Sequence, residues 1–221
     1  WNTSNLQNMT EMFYGATNFN QDISAWDVSS VEGMEFMFAG KINFNGTTDV
    51  PGKFNQDISA WDVSSVKSMR SMFAHNTTFN QPIGEWTTTS LESTLRMFEY
   101  AQAFDQPIGG WTTTSVTDMS YMFRKASEFN QDISQWITSS VTNMEHMFNE
   151  AVKFNQNIGG WTTTSVTDMS YMFRKANAFN QDISEWDTQN VTDVNFMFWY
   201  NTAFDQHLQG WCVTNIASEP T

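Results

Sequence analysis

The sequence predicts an α/β repeat solenoid: a right-handed coil of about 25 residues, each coil holding one short parallel strand and one short α- or 3₁₀-helix. Three observations predict it. Tryptophan recurs at Trp1, Trp26, Trp61, Trp86, Trp111, Trp136, Trp161, Trp186 and Trp211, and every step is 25 residues except the second, which is 35. Five residues after each of these stands an aliphatic side chain, from Leu6 to Ile216. All 14 methionines fall eight or eleven residues after a Trp, and a Phe follows the second of them in every coil, from Phe13 to Phe198. Below, a column such as +5 is the offset from the Trp that opens each coil.

Each element has its own reason. The segment Ile23 to Val28, with its equivalents, alternates β-branched and aromatic residues and reads as a strand. Column +4 is Ser or Asn throughout (Asn5, Ser30, Ser65, Ser90, Ser115, Ser140, Ser165, Asn190, Asn215), the residue types that cap helix N-termini. Behind it, apolar residues recur at helical spacing, and two copies end in Arg124-Lys125 and Arg174-Lys175, cations suited to a helix C-terminus. That spacing predicts a helix of about two turns. Before each strand, Asn or Asp precedes Gln in all eight coils, from Asn20-Gln21 to Asp205-Gln206. An amide both donates and accepts, so this pair is expected to form a hydrogen-bond ladder between stacked coils.

A strand and a helix every 25 residues fall in the leucine-rich-repeat range. One coil cannot bury its own apolar face, so stacking must supply the core, with Met, Phe, Trp and Ile as continuous columns. Residues 1–221 thus read as a single domain of about eight coils, with 217–221 as a linker or terminal edge. The ten extra residues lie within 39–54, where either Phe44-Asn45 or Phe54-Asn55 can join the ladder. The other pair and its neighbours form a loop, read as a recognition loop or as a tolerated insertion.

A formal charge of −14 repels phosphate backbones and anionic headgroups, which argues against nucleic acid and polybasic membrane docking. No apolar run is long enough to span a membrane. Cys212 is the only cysteine, so neither a disulfide framework nor a cysteine metal cluster is expected. The chain opens at Trp1 without a leader and reads as a mature or partial segment, with any export signal or anchor outside it.

No nucleophile–base set, phosphate loop or zinc spacing is present, so no catalytic residue and no resident cofactor is expected. His75, His146 and His207 occupy three different columns and read as scattered surface histidines. Asp22 with Asp57, and Asp27 with Asp62, stack in adjacent coils and are candidate Ca²⁺ ligands. A solvated acidic face competes with that reading, because the first column also holds Pro82, Pro107, Asn157 and His207. The pairs Thr87/Thr89, Thr112/Thr114 and Thr162/Thr164 are interrupted by Ile137/Ser139, which breaks the flat lattice that ice binding needs. Glycosylation sequons stand at Asn2, Asn8, Asn45, Asn76 and Asn190. In the insertion, Asn45, Thr47, Asp49 and Pro51 are the candidate binding-loop residues.

The stretch Phe-Asn-Gln-Asp-Ile-Ser-x-Trp-Asp-Val-Ser-Ser-Val, followed by Met-x-x-Met-Phe, resembles the BspA-like leucine-rich repeat of mycoplasma lipoproteins and listerial surface proteins, also found in microbial eukaryotes. The resemblance runs from Trp1 to about Ile216. It implies an exported, surface-displayed protein whose arrays contact host or matrix, and it carries no shared catalytic residues. The resulting expectation is an extracellular, non-catalytic scaffold for adhesion or for binding a protein or glycan. The alternative is a filament subunit stacking end to end, since no polar capping repeat stands at the Trp1 end.

Overall fold

The computed structural model describes residues 1–41, 49–212 and 214–216. Among these, the 25-residue period holds but the expected elements do not. The α/β solenoid with a helix and a strand in every coil is overturned: the described residues form no helix and no continuous strand. Apart from a hairpin bridge at the insertion, the only sheet-like pairings are isolated parallel bridges. They step one residue per coil through Asn8, Gly33, Ser68, Ser93, Asp118, Asn143, Asp168 and Asp193, with Gly52↔Asn76 beside the insertion.

The backbone hydrogen bonds explain why. In the third coil, the N–H groups of Met69, Ser71, Phe73 and His75 donate forward to the carbonyls of Ser93, Leu95, Met97 and Glu99, at 3.1, 2.8, 3.0 and 2.7 Å. Met72, Ala74 and Asn76, lying between, donate back three residues to Met69, Ser71 and Phe73, at 3.1, 3.0 and 3.0 Å. Alternate donors therefore serve different directions, and neither a helical nor a sheet ladder runs consecutively. This alternation requires two left-handed residues per coil, here Ser71 (φ 54) and His75 (φ 56). A left-handed residue at column +10 ends any right-handed helix within its first turn. Helical spacing was present in the sequence because consecutive turns also bring residues three and four apart onto one side.

The column +4 residues consequently cap nothing. Ser65, Ser140 and Ser165 each donate a hydroxyl hydrogen to a carbonyl of the preceding coil (Ser29, Thr114 and Ser139), all at 2.8 Å. The expected strand keeps its alternation, with Trp86 and Thr88 buried and Thr87 and Thr89 exposed. Its pairing runs through side chains instead. Thr88 Oγ1 donates to the Thr112 carbonyl at 3.1 Å and accepts from the Thr112 N–H at 2.8 Å. The hydroxyl sits where a carbonyl of the neighbouring strand would have been.

The core is a set of ladders. Two phenylalanines per coil stack face to face at 3.8–3.9 Å, as in Phe73 on Phe79 and Phe123 on Phe129, and each ring lies 5.7 to 6.3 Å from its counterpart in the next coil. Each buried ring contributes about 1.5–3 kcal/mol. Indole N–H groups reach back one coil to an isoleucine carbonyl: Trp86 to Ile58, Trp111 to Ile83 and Trp136 to Ile108, at 3.0–3.1 Å. The Asn-Gln column forms a second, polar ladder. Asn80 Oδ1 accepts from the Asp105 N–H and from Gln106 Nε2, both at 2.9 Å, while the Asn80 N–H donates to Asn55 Oδ1 at 2.9 Å.

At the insertion it is Phe54-Asn55 that joins the ladders. Phe54 stacks between Phe19 and Phe79, and the Asn55 N–H donates to Asn20 Oδ1 at 2.8 Å. The competing pair Phe44-Asn45 lies outside the described residues. Lys41 and Val50 exchange two antiparallel hydrogen bonds of 2.8 and 2.9 Å, which pinch the base of the insertion. Gly52 then rejoins the stack by donating to the His75 carbonyl. No helix of the described residues is long and apolar enough to cross a membrane.

Two substitution pairs test this architecture by thermal unfolding. A Cβ on Gly84 would sit 2.1 Å from the Pro107 carbonyl oxygen, whereas one on Gly160 meets nothing within 4 Å. Gly84→Ala should cost about 1–3 kcal/mol, and Gly160→Ala should be neutral or stabilise by about 0.4–1 kcal/mol. Asn80→Leu should cost about 1–3 kcal/mol for each donor it strands. Asn80→Asp should be tolerated, because Asp105 already performs the same acceptance toward Asn130 and Gln131.

Candidate functional site

The left-handed columns +10 and +14 recur down the stack and turn their side chains away from the core. Of the residues they hold in that conformation, only Gly15 is a glycine; Ser71, Arg96, Tyr121, His146 and Tyr171 fill +10, and His75, Tyr100, Lys125, Glu150 and Lys175 fill +14. Column +13 lies between them. All four arginines of the chain (Arg70, Arg96, Arg124, Arg174) and all five tyrosines (Tyr14, Tyr100, Tyr121, Tyr171, Tyr200) fall at +9, +10, +13 or +14. An acidic chain therefore gathers its guanidiniums and phenols on one face.

Stacking orders this face. His75 lies on Tyr100 at 4.2 Å, and His146 is sandwiched between Tyr121 and Tyr171 at 4.5 and 4.4 Å. Cations sit over the same rings: Arg96 over Tyr121 at 4.1 Å, Lys125 over Tyr100 at 4.3 Å, and Arg174 over Trp199 at 4.6 Å. Glu99, only 2% exposed, accepts from Arg96 at 3.0 Å and from Arg124 at 2.5 Å. Glu150 similarly gathers Arg174 at 2.8 Å, Lys175 at 3.5 Å and Lys125 at 3.8 Å. Tyr121 donates to Glu145 at 2.8 Å, and burial, followed by that carboxylate, pushes its phenol up to about 12. The face opens into a cavity of about 360 Å³ at the Glu99 cluster, beside Arg70, Arg96 and Arg124, and one of about 390 Å³ at the Glu150 cluster, beside Lys125 and Lys175.

The residues singled out from sequence fare unevenly. Asp49 and Pro51 stand beside His75 and Tyr100, at the edge of this face, while Asn45 and Thr47 lie outside the described residues. The Ca²⁺ candidates each cap a local turn instead. Asp22 and Asp57 accept the N–H groups of Ser24 and Ser59 at 2.9 Å, and these backbone bonds hold both carboxyls below the usual range. Asp27 and Asp62 do the same with Ser29 and Ser64, mainly through the serine side chains. Among the described residues, no group of three or more His, Cys, Asp or Glu side chains is placed to hold a metal ion. Of the sequons, Asn2, Asn8 and Asn190 are exposed, and Asn45 is not described. Asn76 is fully buried, with its amide nitrogen bonded to the Phe54 carbonyl at 3.0 Å, which leaves no room for a glycan.

His75 is buried and His146 half-buried against their aromatic neighbours, while His207 is exposed. Column reading by itself did not find this face, because +10, +13 and +14 change residue type from coil to coil. The signal that was available is that every Arg and Tyr falls in so few columns.

The sequence matches, over residues 1–52, 49–136 and 117–219, the family described as "Mycoplasma protein of unknown function, DUF285". The chain belongs to this family. No curated protein and no solved structure matches it. The DUF285 matches run through every coil, so the stack of turns and its aromatic-cationic face lie within the matched residues.

This DUF285 stack should be acid-sensitive through His146. Burial, reinforced by Arg124, Arg174 and Arg96, pushes the imidazole down to about 4 from 6.5. The unfolded chain then binds the extra proton, so stability is present above 6.5 and falls as pH drops toward 4. The loss is about 2–3 kcal/mol. His75 shifts the same way through burial, while Glu145, pushed up by its own burial, partly opposes both. His146→Phe keeps the stack between Tyr121 and Tyr171, and should flatten the decline in unfolding free energy between pH 6.5 and 4.

Proposed function

We propose that the chain is a non-catalytic recognition scaffold displayed outside the cell, and that it adheres to a protein or glycan partner through the aromatic-cationic face. One observation carries this reading. Large side chains occupy positions that the backbone holds at positive φ, where a glycine would relieve strain of about 1–2 kcal/mol per residue. The core columns are nearly uniform from coil to coil, whereas these strained columns vary, which is how a fixed scaffold presents a specific surface. The resemblance to BspA-like surface repeats supports the same reading, as does the acidic surface elsewhere, which disfavours nucleic acid.

The test is binding of the purified chain to panels of glycans and of extracellular matrix proteins. Lys175→Glu, on the aromatic-cationic face, should weaken capture by roughly tenfold or more. Thr112→Glu, on the exposed threonine columns, should leave it nearly unchanged. Equal loss with both, or no capture from either panel, overturns the proposal.

A further inference from the structure

We propose that the cavity between the insertion and the arginines of the third to fifth coils binds one acidic monosaccharide, a sugar carrying a single carboxylate. The inference deepens the recognition reading and rests on its glycan branch. The cavity measures about 360 Å³, within the range of small-ligand sites and enough for one sugar ring. Three of the four arginines border it, in a chain of net charge −14. Arg96 and Arg124 each spend one terminal nitrogen on Glu99, and the Arg124 Nε is buried without a partner among the described residues. Arg70 lies over the Phe36 ring at 5.7 Å and makes no ion pair among the described residues. Ser71 also lines the cavity, wholly buried, and its hydroxyl has no hydrogen-bond partner among the described residues. The hydroxyl exposes no surface of its own, so it meets a ligand oxygen only by turning toward the cavity, where it would recover what being left unsatisfied costs.

The choice of a sugar acid over a bare anion comes from the acceptors. Asp49 and Glu99 line the same space as the donors, and the Tyr100 hydroxyl, which accepts from Lys125 Nζ at 2.6 Å, keeps its own hydrogen to donate. Guanidiniums recognise a carboxylate in a planar, two-pronged way. Carboxylates beside them would repel an inorganic anion, but they accept hydrogen bonds from the hydroxyls of a polyol. Donors and acceptors side by side therefore fit a hydroxy acid better than sulfate or acetate. The chain's overall negative charge disfavours a polyanion and leaves the single acidic residue of a glycan.

Calorimetric titration of the whole chain with glucuronate and with N-acetylneuraminate tests this, beside glucose, acetate, sulfate and the dipeptide Gly-Gly. At least one sugar acid should bind roughly tenfold or more tightly than acetate or sulfate, and glucose should not bind measurably. Arg70→Gln should weaken sugar-acid binding by roughly tenfold, and Ser71→Ala by several-fold, on the scale of a charged and a neutral hydrogen bond. Among the described residues neither change removes a side-chain hydrogen bond or ion pair, and Arg70→Gln gives up only the contact with the Phe36 ring, so unfolding midpoints should stay within about a degree or two. Acetate or sulfate binding as tightly as the sugar acids identifies a bare oxyanion site and overturns the proposal. So does Gly-Gly binding more tightly, which points to a peptide terminus, and so does affinity unchanged by both variants. If the chain still captures glycans or matrix through Lys175 while no sugar acid binds, this inference alone fails. If the panels also fail, the recognition reading falls with it.

Discussion

A coil of this chain cannot satisfy its own backbone, and that constraint organises everything else. Every second N–H in the turn segment points along the stack, as those of Met69, Ser71, Phe73 and His75 do toward the next coil, and only a neighbour in the same register can accept it. The turns between fold back on themselves through bonds spanning three residues, which hold the alternate donors in line. Register is therefore fixed by the backbone and enforced again by each side-chain ladder. A slip of one residue would remove the Phe pairs, the indole bonds to isoleucine carbonyls and the Asn-Gln chain together.

That same constraint creates the outward face. Alternation between right- and left-handed residues is what aims successive N–H groups along the stack, and it throws two side chains per coil away from the core. Once there, they can meet only their counterparts in adjacent coils, so rings stack on rings and charges alternate along columns. His75 on Tyr100, and His146 between Tyr121 and Tyr171, are products of this geometry. So is the burial of Glu99, which meets Arg96 three residues before it in its own coil and Arg124 from the next coil. Arg96 and four of the five tyrosines stand at the left-handed positions themselves, and the other arginines stand one residue away from them.

The insertion acts on this face without disturbing the ladders. The paired bonds between Lys41 and Val50 close it at the base, and Phe54-Asn55 restores register within a few residues. Its described part brings Asp49 to 3.3 Å from His75 and so adds an acid to the edge of an arginine-lined cavity. An interruption that read as a recognition loop or as a tolerated insertion thus sets its described part beside a surface formed by ordinary coils.

The sequence by itself determined the period, the composition of the core and the Asn-Gln ladder, because buried columns must repeat when each coil meets only copies of itself. Trp86, Phe73 and Gln81 declare their roles by recurring. The sequence could not determine the backbone that carries them. Apolar residues three and four apart suit a short helix and a chain of turns equally, and the deciding bonds, such as Met69 N–H to the Ser93 carbonyl, exist only between coils. Left-handed conformation at Arg96, Tyr121 or Lys125 is likewise invisible in residue types that normally avoid it. Only tertiary stacking could decide that these columns form a face, since no residue in them has a reason to be there until its neighbour 25 positions away lies against it.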